Sequence, residues 1–295
     1  TTRIPAVLLQ PLGHLSGVVS TFAAWGEQCR PSAGACLRRP FHSIYTPLPM
    51  GRTNHRPDLN GLLVVDKPLR TTSAGICSLV RKRTRGAKVG HAGTLAPLAT
   101  GVLLICLGKA ATLVERLMTG AKRYTARVDL AHTSVTDDLE STPIPADVES
   151  PPERGAIERV LAERFTGEID QIPPAHSAVH VDGMRAYELA RQGVEVDIPV
   201  KRVVVHGASV LRYDYPDLEL DLRTGRGFYV RSLARDLGLA LRVGGMLSGL
   251  RRTEVGPFTE RDARTPDDLG DEIGAEHLVP IDEVIARLDG FSDAR

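Results

Sequence analysis

The chain has 295 residues, 42% of them hydrophobic, and a formal net charge of +1, so it is long enough for a sizeable core in one or two domains. No apolar run approaches the roughly 18 residues of a transmembrane helix, which excludes that class of protein. Four cysteines are too few for a disulfide scaffold at this size, so a reducing, intracellular setting is expected. They are Cys29, Cys36, Cys77 and Cys106. Because Cys29 and Cys36 have no second ligand pair, no metal site is predicted.

The first 57 residues differ in composition from the rest. They hold six arginines, no lysine and one acid, Glu27, and so carry a net charge of +5, which leaves −4 for the remainder. An acid-poor, arginine-containing start is typical of an organelle transit segment, and a disordered extension is the alternative. We therefore predict an N-terminal extension at 1–57, disordered or targeting-like, and a folded domain at 58–290.

From Gly61 onward, apolar runs and amphipathic segments predict regular structure. Residues 61–65 predict a buried strand, and Ser73 predicts the N-cap of a helix whose apolar face carries Ile76, Leu79 and Val80. Further helices are predicted at 110–118, 153–165, 184–191, 230–241 and 281–288. Further strands are predicted at 101–107, 124–130, 202–213, 217–223 and 246–255. Since helices and strands do not alternate strictly, the pattern favours an α+β fold with a mostly antiparallel or mixed sheet.

Two stretches stand out as candidate binding elements. Residues 90–101, G-H-A-G-T-L-A-P-L-A-T-G, are dense in small residues, which indicates a tight backbone path against a ligand. Their one reactive side chain is His91, and a histidine bonded to backbone is the alternative interpretation. Residues 81–88 place five cations in eight positions, which is compatible with phosphate binding or with a solvated helix end.

Several motifs with established chemistry are absent from the sequence. There is no nucleotide phosphate loop, dinucleotide fingerprint, H-E-x-x-H or G-x-S-x-G. No triphosphate, redox cofactor or zinc-activated water is therefore predicted, and no cofactor is expected. What remains is the 90–101 loop, the aspartates at 137–138, and Tyr229 and Arg231 at a strand-to-helix junction.

Together with other short motifs, these residues resemble the TruB family of tRNA pseudouridine synthases over about 61–287. The motifs in chain order are Asp66-Lys67-Pro68 with Ser73; Gly90–Leu95 and Pro97–Gly101; Lys122-Arg123-Tyr124; Thr136 with Asp138; Gln171–Pro174 with Ser177-Ala178; Val181-Asp182-Gly183 with Arg185, Tyr187 and Leu189; Tyr229–Arg231 with Leu233–Gly238; and Leu250–Thr253. The order of the motifs, more than any single one, supports the resemblance.

The resemblance implies a fold and an activity. The fold is that of pseudouridine synthases, a mixed, largely antiparallel sheet flanked by helices and loops. The activity is isomerisation of the T-loop uridine of tRNA, position 55, to pseudouridine, without cofactor or metal, after the target nucleotide is flipped out. The expected partner is the tRNA T-arm, with no membrane contact, and the chain is expected to be a cytoplasmic monomer, or an organelle protein if 1–57 is a transit segment. The domain at 58–290 would be catalytic, with no C-terminal RNA-binding domain evident.

The departure that matters most lies between Leu95 and Pro97, where the family carries its catalytic aspartate and this chain has Ala96. Alanine offers neither a charge nor a proton to exchange, so the chain as written is predicted to be inactive. Two hypotheses stay open. The chain is a pseudouridine synthase whose aspartate was changed to alanine, deliberately or by variation in this one chain, or it is a natural pseudoenzyme that binds or folds tRNA.

Other family roles transfer to single positions. The resemblance implies that Arg231 pairs with the catalytic aspartate, that Asp138 is a second acid near this arginine, and that Tyr124 stacks on the flipped base. It also implies that His91 fills the gap that the flipped base leaves in the T-loop. For Tyr124, a core aromatic on the inner face of a strand is the alternative.

Three further positions complete the predicted site. Tyr229 and Leu250 match residues that line the uracil pocket, and both are equally compatible with a core. Lys67 matches a lysine near the site, with a surface lysine as the alternative. The family usually has glycine where this chain has Arg70, so we expect an altered turn there.

Overall fold

A nine-stranded sheet forms the centre of the structure, which is a computed structural model that describes residues 59–177, 180–181, 184–185 and 197–292. The strands of this sheet are β1 (Gly61–Lys67), β2 (Val89–Ala92), β3 (Ala99–Leu107), β4 (Lys122–Asp129), β7 (Gly167–Gln171), β10 (Lys201–Asp214), β11 (Asp217–Thr224), β12 (Met246–Val255) and β13 (Phe258–Thr259). Two short hairpins contain β5 (His132–Thr133) with β6 (Ile144–Pro145) and β8 (His180–Val181) with β9 (Met184–Arg185). The predicted extension at 1–57 lies outside the described residues.

The sheet is mixed but mostly antiparallel. Its order is β1-β3-β12-β4-β11-β10-β7, with β2 beside β3 and β13 beside β12. Among the described strands of this sheet, only β3 and β12 pair in parallel. The predicted α+β class is confirmed.

Five described α-helices pack around the sheet: α1 (Ser73–Arg83), α2 (Val114–Thr119), α3 (Arg154–Arg164), α4 (Val230–Leu241) and α5 (Ile281–Asp289). None of them is both long and apolar enough to cross a membrane. The predicted strands and the helices at 153–165, 230–241 and 281–288 are confirmed within a few residues. In α4, the predicted inward face of Val230, Leu233, Ala234 and Leu237 is buried.

Three predictions about helices need correction. The N-cap of α1 is Thr72, whose hydroxyl accepts a hydrogen bond from the Gly75 amide, while Ser73 is buried inside the first turn. The segment predicted as one helix at 110–118 is a 3₁₀ turn (Gly108–Leu113) followed by α2. The helix predicted at 184–191 does not begin where expected, because Met184–Arg185 form β9, and residues 186–191 lie outside the described residues.

Burial on both faces explains the unbroken apolar runs in β1 and β3. One face packs against Ile76 and Val80 of α1, and the other packs against Leu117 of α2 and Val284 of α5. A strand covered on both faces carries apolar residues without alternation. By contrast, β4 alternates buried and exposed residues, as its sequence predicts.

The three central strands bring distant parts of the chain together. Leu250 of β12 lies between Ala99 of β3 and Ala126 of β4. The contact of β3 with β12 depends on Gly101, which has φ +98° and at which a Cβ would lie 2.2 Å from the Arg252 carbonyl oxygen. Only glycine fits such a position. The end of the 90–101 loop is therefore held against the middle of the sheet.

Candidate active site

A cleft of about 340 Å³, part of which is open to solvent, lies beside these central strands. It brings together four of the predicted site residues, Ala96, Asp138, Arg231 and Leu250. The other residues that line it are Leu98, Ala99, Leu247, Ser248 and Gly249. We call the segment Leu95–Pro97, with Lys67 and Arg252 behind it, the Ala96 wall. The loop Ser134–Ser141 and the start of α4 form the Arg231 wall.

Hydrogen bonds fix the backbone on both sides of Ala96. The Ser73 hydroxyl lies 2.9 Å from the Leu95 amide and 3.1 Å from the Leu95 carbonyl oxygen. On the other side, the Arg70 amide donates to the Pro97 carbonyl at 2.8 Å, and the Lys67 ammonium lies 3.4 Å from the same oxygen. The position of residue 96 is therefore set by its neighbours and not by its own methyl group.

Arg70 adopts a backbone conformation that favours glycine. Its φ is +62°, in the left-handed region, which costs a residue with a Cβ roughly 1–2 kcal/mol. The resemblance to the family predicts an altered turn at this position, where glycine is usual. Because the Arg70 amide bonds Pro97, the strained turn lies directly against the Ala96 wall.

On the Arg231 wall, Arg231 and Asp138 form an ion pair. The Arg231 Nη1 lies 3.2 Å from the Asp138 Oδ2, and the two side chains are 15% and 4% exposed. Arg231 also donates to the Thr136 carbonyl at 3.2 Å and to the His176 carbonyl at 2.9 Å. Within the described part of the chain, Asp138 is the only carboxylate within 4.0 Å of this guanidinium. It therefore neutralises Arg231 in the absence of an acid at position 96.

The Asp138 carboxylate is held in place by its own loop. Its Oδ1 accepts hydrogen bonds from the Thr136 hydroxyl at 2.7 Å and the Glu140 amide at 2.9 Å. The Thr136 hydroxyl in turn contacts the Ser141 hydroxyl at 2.9 Å. Since each oxygen of Asp138 has a donor, the carboxylate is oriented toward Arg231 before any ligand arrives.

A second arginine, one turn further along α4, strengthens this wall. Arg235 pairs with Asp137 at 3.1 Å and with Asp236 at 2.8 Å, and it donates to the Ile172 carbonyl at 2.9 Å. Burial raises the pKa of Asp137, and its φ of +59° is in the left-handed region. Residues four apart on a helix share one face. Arg231 and Arg235 thus hold the 134–141 loop and the 172–176 segment against α4.

Tyr229, at the N-cap of α4, is fixed through its backbone. The buried Gln171 side chain accepts from the Tyr229 amide at 2.8 Å and donates to the Tyr229 carbonyl at 3.0 Å. Burial raises the pKa of the Tyr229 hydroxyl, so the side chain is neutral at pH 7. Tyr229 is not among the residues that line the cleft.

Lys67 and Arg252 are buried cations behind the Ala96 wall. Lys67 is fully buried, so the surface alternative is wrong, and its ammonium donates to the carbonyls of Pro68 at 3.0 Å and Thr71 at 2.6 Å. Burial, with the neighbouring Arg252 charge, lowers the pKa of Lys67 to about 8. Arg252 is 2% exposed and donates to the Val102 carbonyl at 2.8 Å and the Gly93 carbonyl at 3.0 Å. No described carboxylate lies within 4.0 Å of either side chain.

Tyr124 and His91 lie next to Arg252 and outside the lining of the cleft. Tyr124 is 9% exposed, belongs to a hydrophobic core cluster against which Leu250 packs, and lies close to Arg252. The His91 Nδ1 is buried and has no hydrogen-bond partner among the described residues. Burial, with the nearby Arg252 charge, lowers the pKa of His91. The family roles of these two residues remain predictions.

Arg252, Ser73, Arg235 and Gln171 support the site, although no role in the site was predicted for any of them individually. The burial of one arginine at positions 251–252 could have been inferred from the sequence. Arg251 and Arg252 are consecutive in a strand, where neighbouring side chains point to opposite faces, so one of them had to face inward. Arg251 bonds Asp66 at 2.8 Å, and Arg252 is buried. The contacts of Ser73 and Gln171 join positions far apart in sequence and had no local signal.

Three of the five cations in the basic run at 81–88 have partners in the structure, and the other two have none among the described residues. Arg83 donates to the Pro266 carbonyl, Arg85 pairs with Glu272 at 3.0 Å, and Arg81 donates to the Val89 carbonyl at 3.3 Å. Lys82 and Lys88 are exposed, and their side chains have no partner among the described residues. These two lysines are therefore the best candidates for phosphate contacts.

Comparison with known protein families gives two matches along the chain. The family model described as TruB family pseudouridylate synthase (N terminal domain) matches residues 81–230. The family model described as tRNA pseudouridylate synthase B C-terminal domain matches residues 231–289. The division between the two falls at the beginning of α4.

Curated relatives carry the same designation. A protein of Caulobacter sp. (strain K31) named tRNA pseudouridine synthase B is 43% identical over 242 residues, which cover 80% of this chain and 77% of that protein. A protein of the same name from Corynebacterium aurimucosum is 42% identical over 232 residues, 77% of each. One from Rhodospirillum rubrum is 40% identical over 246 residues, 81% of this chain and 79% of that protein.

Solved structures with similar folds include larger assemblies. One is a chain in the crystal structure of a Cbf5-Nop10-Gar1 complex, with 29% identity, a TM-score of 0.61, and coverage of 78% of this chain and 62% of that one. Another is in the structure of an H/ACA RNP bound to a substrate RNA containing 2'-deoxyuridine, with 28% identity, a TM-score of 0.54, and coverage of 72% and 53%. This chain spans less than two thirds of either. The family matches, the curated relatives and the cleft geometry lead to one conclusion: the chain belongs to the TruB family of pseudouridylate synthases.

Proposed function

We propose that this chain recognises the T-arm of tRNA with the uridine-55 specificity of a tRNA pseudouridine synthase, and that as written it makes no pseudouridine. The observation that carries the proposal is the cleft itself. A methyl group, Ala96, occupies one wall, while the facing Arg231–Asp138 pair and the anchors of Leu95 and Pro97 are intact. Recognition survives in this proposal because it depends on groups other than the missing carboxylate.

The proposed chemistry of a competent site assigns a role to each group. An aspartate at 96 would act at the sugar of the flipped nucleotide, and Arg231 would fix that carboxylate through a charge-assisted hydrogen bond. Leu250 would contact the uracil, since it lines the cleft, and Tyr229 would support that pocket from the start of α4. Tyr124 would stack on the base and His91 would occupy the place that the base vacates. Lys67 would hold the Pro97 carbonyl and with it the position of residue 96.

Arg70 favours the second hypothesis, a natural pseudoenzyme that binds or folds tRNA. A left-handed arginine adjoins the Ala96 wall at the position where the family usually has glycine. Because the Arg70 amide donates to the Pro97 carbonyl, this departure from the family lies directly beside residue 96, where catalysis would require accurate geometry. The two hypotheses share tRNA binding and differ in whether the rest of the site can still support chemistry.

The remaining assignments are part of the same proposal. We propose a monomer that acts in the cytoplasm, as expected for a relative of bacterial tRNA pseudouridine synthases, with an organelle as the alternative if residues 1–57 direct it there. Residues 58–290 would form the catalytic domain. The proposed partner is tRNA, through its T-arm, without a cofactor.

T-arm binding tests the recognition part of the proposal. The full chain is titrated with a labelled T-arm hairpin and with an unrelated hairpin of equal length, at several salt concentrations. Phosphate contacts make log affinity fall linearly with log salt, with a slope of about −0.9 per phosphate in a duplex. Exchange of Lys82 and Lys88 to serine should flatten that slope. Tyr124→Ala should instead weaken binding by about 1–3 kcal/mol at an unchanged slope.

A matched control uses Arg85, a cation of the same run whose partner is Glu272. Arg85→Ser should change the slope less than exchange of the two free lysines. Equal affinity for both hairpins at physiological salt would contradict the proposal, and the family membership would then describe only the fold.

A further inference from the structure

The charges around the cleft are unevenly distributed. On the Arg231 wall, Arg231 pairs with Asp138, and Arg235 pairs with Asp137 and Asp236. Behind the Ala96 wall, Lys67 and Arg252 have only uncharged oxygen acceptors among the described residues. Of these cations only Arg231 lines the cleft, together with its partner Asp138. Lys67 and Arg252 lie behind residue 96 and have no carboxylate within 4.0 Å among the described residues.

Arg231 lines the cleft and has donors without an acceptor among the described residues. Three hydrogen bonds, two from Nη1 and one from Nη2, account for its contacts with the described residues. Its Nε–H and a second Nη2 hydrogen have no acceptor there. A planar guanidinium can bind the two oxygens of a carboxylate through two such donors. Its partial exposure of 15% leaves a path from solvent.

The shape of the cleft also fits a small carboxylate. Ala96 differs from aspartate by one carboxylate group, and Leu98, Ala99, Leu247 and Leu250 supply an apolar lining around that space. A formate ion is the group that alanine lacks, and acetate adds a single methyl. A buried cation gains most from a partner that is both anionic and hydrogen-bonded.

We propose that the cleft beside Ala96 is a binding site for a small carboxylate, which Arg231 holds and which the space at residue 96 admits. The carboxylate lies between the Ala96 methyl and the Arg231 guanidinium. The inference depends on the charges and shape of the cleft, and neither RNA binding nor turnover enters it. Its failure is thus distinguishable from failure of the proposed function.

The experiment measures thermal unfolding of the full chain in sodium formate against sodium chloride of equal ionic strength at pH 7. A ligand that binds only the folded state raises the folded-to-unfolded ratio by 1 + [L]/Kd, about 11-fold when formate is at ten times its Kd. We expect a saturable rise with formate and acetate in the parent chain. Ala96→Asp, which fills the site with its own carboxylate, should respond less than about twofold.

Arg231→Gln should abolish the response. Should that variant fail to fold, Ala96→Asp and line broadening of ¹³C-formate in the presence of the folded parent chain give the same answer. Arg287→Gln, which removes an arginine that pairs with Asp262 and Glu283 away from the cleft, is the matched control and should keep the response. Equal stabilisation of the parent and Ala96→Asp, or no stabilisation beyond that by chloride, would overturn the inference.

Discussion

The two walls of the cleft satisfy their charges in different ways. The Arg231 wall uses carboxylates, since Arg231 contacts Asp138 and Arg235 contacts Asp137. The Ala96 wall uses backbone carbonyls, since Lys67 donates to Pro68, Thr71 and Pro97. Replacing an acid on the Ala96 wall therefore leaves the hydrogen bonds that shape this wall untouched.

If residue 96 is the position of the family's reactive acid, as we propose, this difference explains how the scaffold persists without that acid. The backbone around residue 96 is fixed by Ser73 and Arg70, and neither contact involves the side chain at 96. Removing an acid from the Arg231 wall would instead leave a partly buried cation without its ion-pair partner. A change of the side chain at residue 96 can therefore alter the chemistry without disturbing the fold, whereas loss of Asp138 would affect both.

The largest expected effect is gain of activity in Ala96→Asp. If the rest of the site is competent, pseudouridine formation on a T-arm transcript should rise from background by at least about 10³-fold, within the range for a positioned acid or base. Single-turnover product formation is the measurement. Ala96→Asn, which adds similar volume without an ionisable group, should stay inert.

An inert Ala96→Asp that still binds the T-arm would contradict the view that only the acid is missing. The double variant Ala96→Asp with Arg70→Gly then locates the defect. Activity in the double variant alone would assign it to the left-handed turn at Arg70. Inactivity of both would favour the pseudoenzyme hypothesis.

On the other wall, Asp138→Ala should destabilise the fold by about 3–5 kcal/mol, because it leaves Arg231 without its acid. Urea denaturation at pH 7 measures the loss. Glu140→Ala, an exposed acid of the same loop, should change stability by less than about 0.5 kcal/mol. Similar values for the two variants would show that the Arg231 wall does not depend on its ion pair.

Lys67 gives the Ala96 wall a distinct pH dependence. Its pKa is about 8 in the folded chain against an ordinary value of 10.5, so the unfolded chain holds the proton more tightly. Between pH 8 and 10.5, stability of the parent should therefore rise relative to Lys67→Met, by up to about 3 kcal/mol. Below pH 8 both states are protonated and the difference between the two proteins should be constant.

Chemical denaturation of the parent and Lys67→Met across pH 7 to 10.5 checks this prediction. The raised pKa of Cys106 acts in the opposite direction over part of this range, but it is present in both proteins and cancels in the difference. A difference that does not change with pH would mean that Lys67 is solvated in the folded chain.

The smallest expected effect is at Arg70. Arg70→Gly should stabilise the chain by about 1 kcal/mol, since glycine adopts a φ of +62° without steric cost. Arg261→Gly, at an exposed turn position without a positive φ, should destabilise by about 0.5–1 kcal/mol. Thermal unfolding distinguishes the two signs. Equal destabilisation would mean that the turn at Arg70 carries no strain.

Elements whose pattern is local could be predicted from the sequence. The alternation in β4 and the apolar face of α4 depend on residues two to four positions apart, and both match the structure. The cap of α1 could not be settled, because Thr72 and Ser73 are both good caps. The choice follows from a contact of Ser73 with Leu95, 22 positions away.

The site shows the same division between local and distant information. The motif order brought Ala96, Asp138, Arg231 and Leu250 together as candidates, and they line one cleft. The burial of Lys67 and Arg252 was not predictable, since it depends on the parallel pairing of β12 with β3 and on the approach of Gly101. The identity of these groups could be predicted from the sequence, whereas their environment depends on the long-range register of the strands.

We propose that the fold and the RNA site persist on both walls while the chemistry is absent from one. The most direct test incubates the parent chain with an unmodified T-arm transcript under conditions where binding is saturated, and maps pseudouridine chemically at the T-loop uridine. We expect bound RNA and no product above the protein-free control. Turnover by the parent at a rate comparable to that of Ala96→Asp would contradict this proposal and require a nucleophile other than residue 96.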